Sequence, residues 1–77
     1  MDSMKNLGIE KLKEYLKENG LKQGVFADIS GISQGAISHY LTGRRKKVDP
    51  VNAQKIISVV PSIRLEDFYA FLEDNAA

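Results

Sequence analysis

An all-α chain of five short helices is what this sequence predicts, and three observations predict it. Apolar residues recur at i, i+3 and i+4 through successive segments. Residues that cap or stop helices separate those segments: Asn19-Gly20, Gly31, Thr42-Gly43, Asp49-Pro50 and Pro61-Ser62. No convincing strand pattern appears. The β-branched run from Ile56 to Val60 is strand-like in composition, yet it follows Asp49-Pro50 and keeps helical spacing, which favours helix. With 77 residues the chain is expected to form one domain over 1–77, and a chain this short buries only about 60–65% of the surface it exposes when unfolded. Its core must therefore be simple and well patterned.

Residues 1–5 and 74–77 are expected to fray. The first helix spans 7–19, where Leu7, Ile9, Leu12, Tyr15 and Leu16 recur at helical spacing and Glu10, Glu14 and the lysines take the other face. Gly20 ends it, because glycine accepts the left-handed backbone that a helix C-terminus needs. The second helix runs from Gln23 to Ser30, with Val25, Phe26 and Ile29 as apolar contacts and Ala27 where a neighbouring helix must come close. Gly31 stops it. Ser33 is a good N-cap for a third helix, Gln34 to Leu41, whose buried stripe is Ile37, Tyr40 and Leu41. That stripe leaves Gln34, Gly35, Ser38 and His39 facing outward.

Arg44 to Val48 reads as a basic loop. Asp49 caps a fourth helix over about 50–60, and Pro50 in its first position gives up an N–H that would have had no partner. The apolar stripe here is Val51, Ala53, Ile56, Ile57 and Val60. A fifth helix, Leu65 to Glu73, carries Leu65, Phe68, Tyr69, Phe71 and Leu72, with Glu66 and Asp67 in the first turn, where the helix dipole favours negative charge.

Composition excludes several classes. Hydrophobic residues at 43% and charged residues at 27% are those of a globular chain. The absence of cysteine rules out a disulfide framework and cysteine-type zinc sites, and makes a cytoplasmic location the expectation. No apolar run reaches signal-peptide length or the ~20 residues of a membrane span. One histidine and scattered carboxylates give no metal-ligand spacing, and no nucleophile–base pair or phosphate loop is visible. An enzyme, a metal, a cofactor and a small-molecule ligand are accordingly not expected. The net charge of +1 hides an asymmetry: residues 1–20 sum to zero, residues 21–50 to +3 and residues 51–77 to −2. A positive middle suggests a polyanionic partner.

The stretch from Gln23 to Lys47, QGVFADISGISQGAISHYLTGRRKK, concentrates that charge behind two helical patterns hinged at Gly31. A helix that enters the DNA major groove must be braced by a partner helix at a steep angle through a short turn. The crossing requires a small residue (Ala27), the turn favours glycine (Gly31), and β-branched residues lock the turn and the second helix to the core (Ile32, Ile37). All four stand at the proper spacing. Within it, FADISGISQGAISHYLTGRR resembles the helix-turn-helix of phage lambda-repressor and Cro-type regulators, also called the xenobiotic-response-element type.

The resemblance extends from about Leu7 to Phe71 and implies a compact five-helix, lambda-repressor-like domain with its helix-turn-helix at about 23–42. It also implies that Gln34 reads an adenine while Gln23 buttresses it and touches a phosphate. The chemistry agrees, because an amide's donor and acceptor match adenine N6 and N7. Base contacts are then expected from Gln34, Gly35, Ser38 and His39, and backbone contacts from Lys22, Gln23, Ser33, Arg44, Arg45, Lys46 and Lys47. This chain departs from the family pattern at four places. Gly35 replaces a frequently polar residue, Lys22 stands where Ser or Thr would cap, Ser30 occupies a usually apolar position, and Pro61-Ser62 resembles an insertion.

One recognition helix reads few bases, and paired half-sites ~34 Å apart solve that problem. A homodimer on a palindromic double-stranded operator is therefore expected, with Phe68, Tyr69, Phe71 and Leu72 as its interface. The expected function is a bacterial or phage-encoded transcriptional regulator, a repressor acting by operator occupancy. Its rival is a helical protein–protein module, such as an antitoxin or anti-repressor, that keeps the fold and spends its surface on a partner protein.

Overall fold

The computed structural model describes residues 4–73. In chain order these form strand β1 (Met4–Asn6), helices α1 (Leu7–Glu18), α2 (Gln23–Ser30), α3 (Gln34–Leu41) and α4 (Pro50–Val59), a 3₁₀ helix (Leu65–Tyr69) and strand β2 (Phe71–Glu73). The helices expected at 23–30 and 34–41 occur with those bounds, and those expected at 7–19 and 50–60 each end one residue earlier. Their local signals operate as read. Gly20, Gly31 and Gly43 all take positive φ, while Ser33 accepts from the Ala36 N–H and Asp49 from the Asn52 N–H.

The five-helix, purely α expectation needs correction at both ends. The segment expected as a fifth helix winds only from Leu65 to Tyr69, as 3₁₀, and then turns extended at Ala70. Asp67 explains the tight start: its carboxylate accepts from the Arg64 N–H at 2.9 Å, and its own N–H donates to the Arg64 carbonyl at 2.9 Å. Beyond Ala70 the chain pairs antiparallel with β1, with Met4 opposite Glu73, Lys5 opposite Leu72 and Asn6 opposite Phe71. Met4 and Lys5, expected to fray, therefore belong to a two-stranded sheet. The remaining terminal residues, 1–3 and 74–77, lie outside the described residues.

The core is built from Ile9, Leu12 and Leu16 of α1, Phe26 and Ala27 of α2, Ile37 and Tyr40 of α3, and Ala53 and Ile56 of α4, closed by Ile32, Val48, Val60, Ile63 and Phe68. Three expected core residues face solvent instead: Val25 is 44%, Ile29 55% and Val51 62% exposed. In α2 the inward face is Phe26, Ala27 and Ser30, so Val25 and Ile29, four apart, share its flank. Val51 sits in the first turn of α4, ahead of the Ala53–Ile56–Val60 stripe. Ser30 is buried without cost, because its hydroxyl donates to the Ala27 carbonyl and accepts from the Ile32 N–H.

Two contacts bind the chain ends to the helical body. Gly8 lies against the Phe68 ring so closely that an added Cβ would collide with the ring carbons. Asn6, 3% exposed, accepts from the Ile9 N–H at 3.1 Å and donates to the Phe68 and Lys46 carbonyls at 2.8 and 3.0 Å. One carboxamide thus caps α1 and ties β1 to both the 3₁₀ helix and the loop after α3. Among the described residues no helix is long and apolar enough to cross a membrane.

Candidate nucleic-acid interface

The turn between α2 and α3 is held from four sides. Gly31 supplies the left-handed backbone at φ 77°, Ser30 bridges Ala27 and Ile32, Ile32 is buried, and the Lys55 ammonium donates to the Gly31 carbonyl at 3.3 Å. Glycine carries no Cβ penalty in that conformation. The inner face of α3 is anchored by Ile37 and by Tyr40, whose hydroxyl donates to an Asp49 carboxylate oxygen at 3.4 Å and accepts from the Asn52 amide at 3.0 Å. Because Asp49 is also the N-cap of α4, the third and fourth helices are fixed to one another through a single polar cluster.

With that face buried, Gln34 and Gly35 at the start of α3 are exposed, and Ser38 and His39 half-exposed. All four expected base-reading positions are thus brought to one helix and reach solvent. The Ser38 hydroxyl makes no hydrogen bond among the described residues, and the Thr42 hydroxyl takes its carbonyl at 2.8 Å. Gln34 lies over α2: a Cβ added to Gly24 would stand 3.6 Å from both amide heteroatoms of Gln34. No hydrogen bond joins Gln23 to Gln34 among the described residues, although both line the same cleft with Lys22 and Asp28. A side chain at Gly24 would thus meet Gln34 at ordinary van der Waals distance.

Around this helix end stand the expected backbone-contacting groups. Lys22 is exposed and makes no side-chain cap, so the first N–H groups of α2 remain open beside it, a partially positive helix end. Ser33 is exposed but its hydroxyl oxygen is engaged as the α3 cap. Arg44, Arg45, Lys46 and Lys47 are all exposed, and none of them nor Lys22 has an ion-pair partner among the described residues. The loop carrying them is held at two points, by the Arg45 N–H on the His39 carbonyl at 3.0 Å and by Asn6 on the Lys46 carbonyl.

Of the residues expected at a dimer interface, Phe68 is a core residue, 1% exposed, while Tyr69 is exposed and Phe71 half-buried. The Leu72 side chain lies outside what is described. Tyr69 and Phe71 line an apolar cleft of about 500 Å³ together with Val48 and Arg45. Sequence reasoning missed Asn6. For Asn6 a signal existed, since an asparagine immediately before an apolar-periodic segment marks a helix N-cap.

Among the described residues, Asp67 is the one group whose titration departs clearly from the ordinary. Its carboxyl is held below the usual range chiefly by the Arg64 N–H, then by the Lys11 ammonium at 2.8 Å, against the opposing effect of burial. It joins the 3₁₀ helix to α1 and lies apart from the interface. Among the described residues, no group of three or more His, Cys, Asp or Glu could hold a metal ion.

Comparison with known proteins agrees with this geometry. A helix-turn-helix family model matches residues 12–68, most of the chain and all of α2, α3 and α4, while both strands fall outside the match. Neither the curated proteins nor the solved structures compared with the chain give a match. The family is a regulatory, DNA-binding and generally non-enzymatic one. By sequence over residues 12–68, and by the braced pair α2–α3, this chain belongs to the lambda-repressor/Cro-type helix-turn-helix family of DNA-binding regulators.

Proposed function

We propose that the chain is a sequence-specific repressor that acts by occupying a palindromic operator as a homodimer. Gln34, Ser38 and His39 read base edges, with Gly35 allowing close approach, while Lys22, Gln23, Ser33 and Arg44 to Lys47 hold the phosphates. The observation that carries this reading is the exposed amide of Gln34 at the start of a rigidly braced helix, with uncompensated cations on both sides of it. An amide in that position can pair with adenine in the major groove for about 1–3 kcal/mol of discrimination. The cations supply affinity without sequence preference. The apolar cleft bordered by Tyr69 and Phe71 supports self-association through the C-terminal face.

Selection of bound duplexes from a random pool tests the whole reading. A palindromic consensus with half-sites about one helical turn apart is expected. Gln34→Ala should relax preference at one base pair per half-site, and Lys47→Ala should weaken all sequences alike. Failure to bind any duplex at low salt would overturn the DNA reading. Tyr69→Glu, followed by sedimentation, is expected to convert dimer to monomer; an unchanged sedimentation profile would move the interface elsewhere.

A further inference from the structure

A second cluster of cations lies outside the helix-turn-helix. Between the start of α1 and the loop after α3 runs a cleft of about 310 Å³, at the lower end of the range in which small-ligand sites fall. Lys5 of β1 and Lys13 of α1 line one side, and Arg45 and Lys46 of the loop line the other. Glu10 is the only carboxylate among the described lining residues, and it pairs with Lys13 at 3.2 Å. The described lining residues carry a net formal charge of +3.

The main chain here is already committed. The Gly43 N–H donates to the Tyr40 carbonyl, the Arg45 N–H to the His39 carbonyl, and the Thr42 hydroxyl to the Ser38 carbonyl. The Lys46 carbonyl, which would repel an anion, is occupied by the buried Asn6 amide at 3.0 Å. An anion entering the cleft therefore meets ammonium and guanidinium groups. A guanidinium fork beside several point charges suits the oxygens of a phosphate.

We propose that this cleft is a phosphate-binding site, in which Lys5, Lys13, Arg45 and Lys46 hold the nucleic-acid backbone beyond the span gripped by the helix-turn-helix. The proposal rests on the DNA-binding reading above. Continuity favours the backbone as the source, since Arg45 and Lys46 belong both to the cleft and to the loop run that follows the recognition helix. The same chemistry would accept a free phosphorylated molecule, which the experiment separates.

The test uses the full chain, wild type and the double variant Lys5→Gln/Lys13→Gln, with duplex affinity measured from 50 to 200 mM salt. Each cation withdrawn from the backbone changes the slope of log K against log salt by about 0.9, and the double variant withdraws two. The affinity gap between the two proteins should thus shrink about 12-fold across that range per bound protomer, with base preference unchanged. Glu10→Gln, which releases Lys13, should bind more tightly than wild type. In parallel, inorganic pyrophosphate is titrated and the Gly43 and Lys46 amide resonances are followed.

Wild-type DNA binding together with the lowered slope in the variant upholds the backbone site. Wild-type binding with an unchanged slope, but saturable pyrophosphate shifts that the double variant lacks, assigns the site to a free phosphate ligand. An unchanged slope without such shifts overturns the proposal while leaving the DNA reading intact. If wild type binds no duplex, the functional reading fails, and the cleft stands or falls on the pyrophosphate shifts. Thermal melting of each variant checks that the fold is retained; the substituted lysines are exposed.

Discussion

Substituting Asn6 probes the point where three parts of the chain meet. Its Oδ1 accepts from the Ile9 N–H, and its Nδ2 donates to the buried Phe68 carbonyl and to the Lys46 carbonyl of the basic loop. Asn6→Ala removes an N-cap, costing about 1 kcal/mol, and deprives two carbonyls of their donor at about 1 kcal/mol each. The sum, about 3 kcal/mol, is a large part of the roughly 4–11 kcal/mol expected for a chain of this length. At about 4–8 °C per kcal/mol, the melting temperature should fall by about 12–24 °C.

Asn6→Asp separates the cap from the tie. Aspartate caps helices as well as asparagine does, so a residue acting only as a cap would lose almost nothing. In this structure the second carboxylate oxygen would replace the amide nitrogen and face two carbonyl oxygens with no proton between them. The Asp variant should therefore be at least as unstable at neutral pH as the Ala variant. Burial against acceptors raises the folded-state pKa of such a carboxyl. Its deficit relative to wild type is then largest above that raised pKa, and it narrows as pH falls through the raised pKa toward the unfolded value. Denaturant melts of the three proteins at pH 7 and pH 5, compared with wild type at each pH so that Asp67 cancels, measure this. A near-wild-type Asp variant at pH 7 would refute the tie and reduce Asn6 to a cap.

Gly8→Ala should destabilise by up to about 2 kcal/mol by chemical denaturation, because overpacking against the Phe68 ring, about 1–3 kcal/mol, offsets the roughly 1 kcal/mol gained in helix propensity. Gly35→Ala should do the opposite. Nothing lies within 4 Å of its added Cβ, so about 1 kcal/mol of stability is expected from propensity, with weaker operator binding if the glycine is there for close approach; unchanged affinity would remove that reason. Asp67, whose carboxyl is held low, contributes stability that is full above the ordinary carboxylate range and is lost as pH falls toward its lowered value. Asp67→Asn should accordingly flatten the acid limb of the stability–pH curve, and an unaltered limb would assign acid sensitivity to other groups.

The parts of the fold that were legible in the sequence are those whose causes are local. Gly31, Ser33, Asp49 and Pro50 act on the one or two turns beside them, so α2 and α3 could be bounded to the residue. Pairing of β1 with β2 joins residues more than 60 positions apart in strands of three residues each, too short to show alternation. The segment after Leu65 therefore looked like a helix until the Asp67–Arg64 exchange and the extended Ala70 redirected it. Burial was misread for a related reason. In α2 the apolar residues Val25, Phe26 and Ile29 surround more than one face, and only tertiary packing selects Phe26. The cations of the candidate interface were visible in the charge distribution, whereas the closeness of Gln34 to Gly24 depends on a side chain arriving from the next helix.

The boundary between legible and illegible falls close to the boundary of the family match. Residues 12–68 contain the helix-turn-helix with its local punctuation, and both strands and Asn6 lie outside them. Yet Asn6 reaches into the interface, since the Lys46 carbonyl that it holds belongs to the basic loop. The Arg45 N–H fixes the same loop to α3 through the His39 carbonyl. The two attachments set four long, like-charged side chains on a backbone that is registered at once to α3 and to the sheet. Ordering a loop before it meets its partner reduces the entropy lost on binding. If the loop holds phosphates as proposed, the segment least apparent in the sequence bears on affinity through the position it imposes on the loop, without Asn6 itself touching DNA.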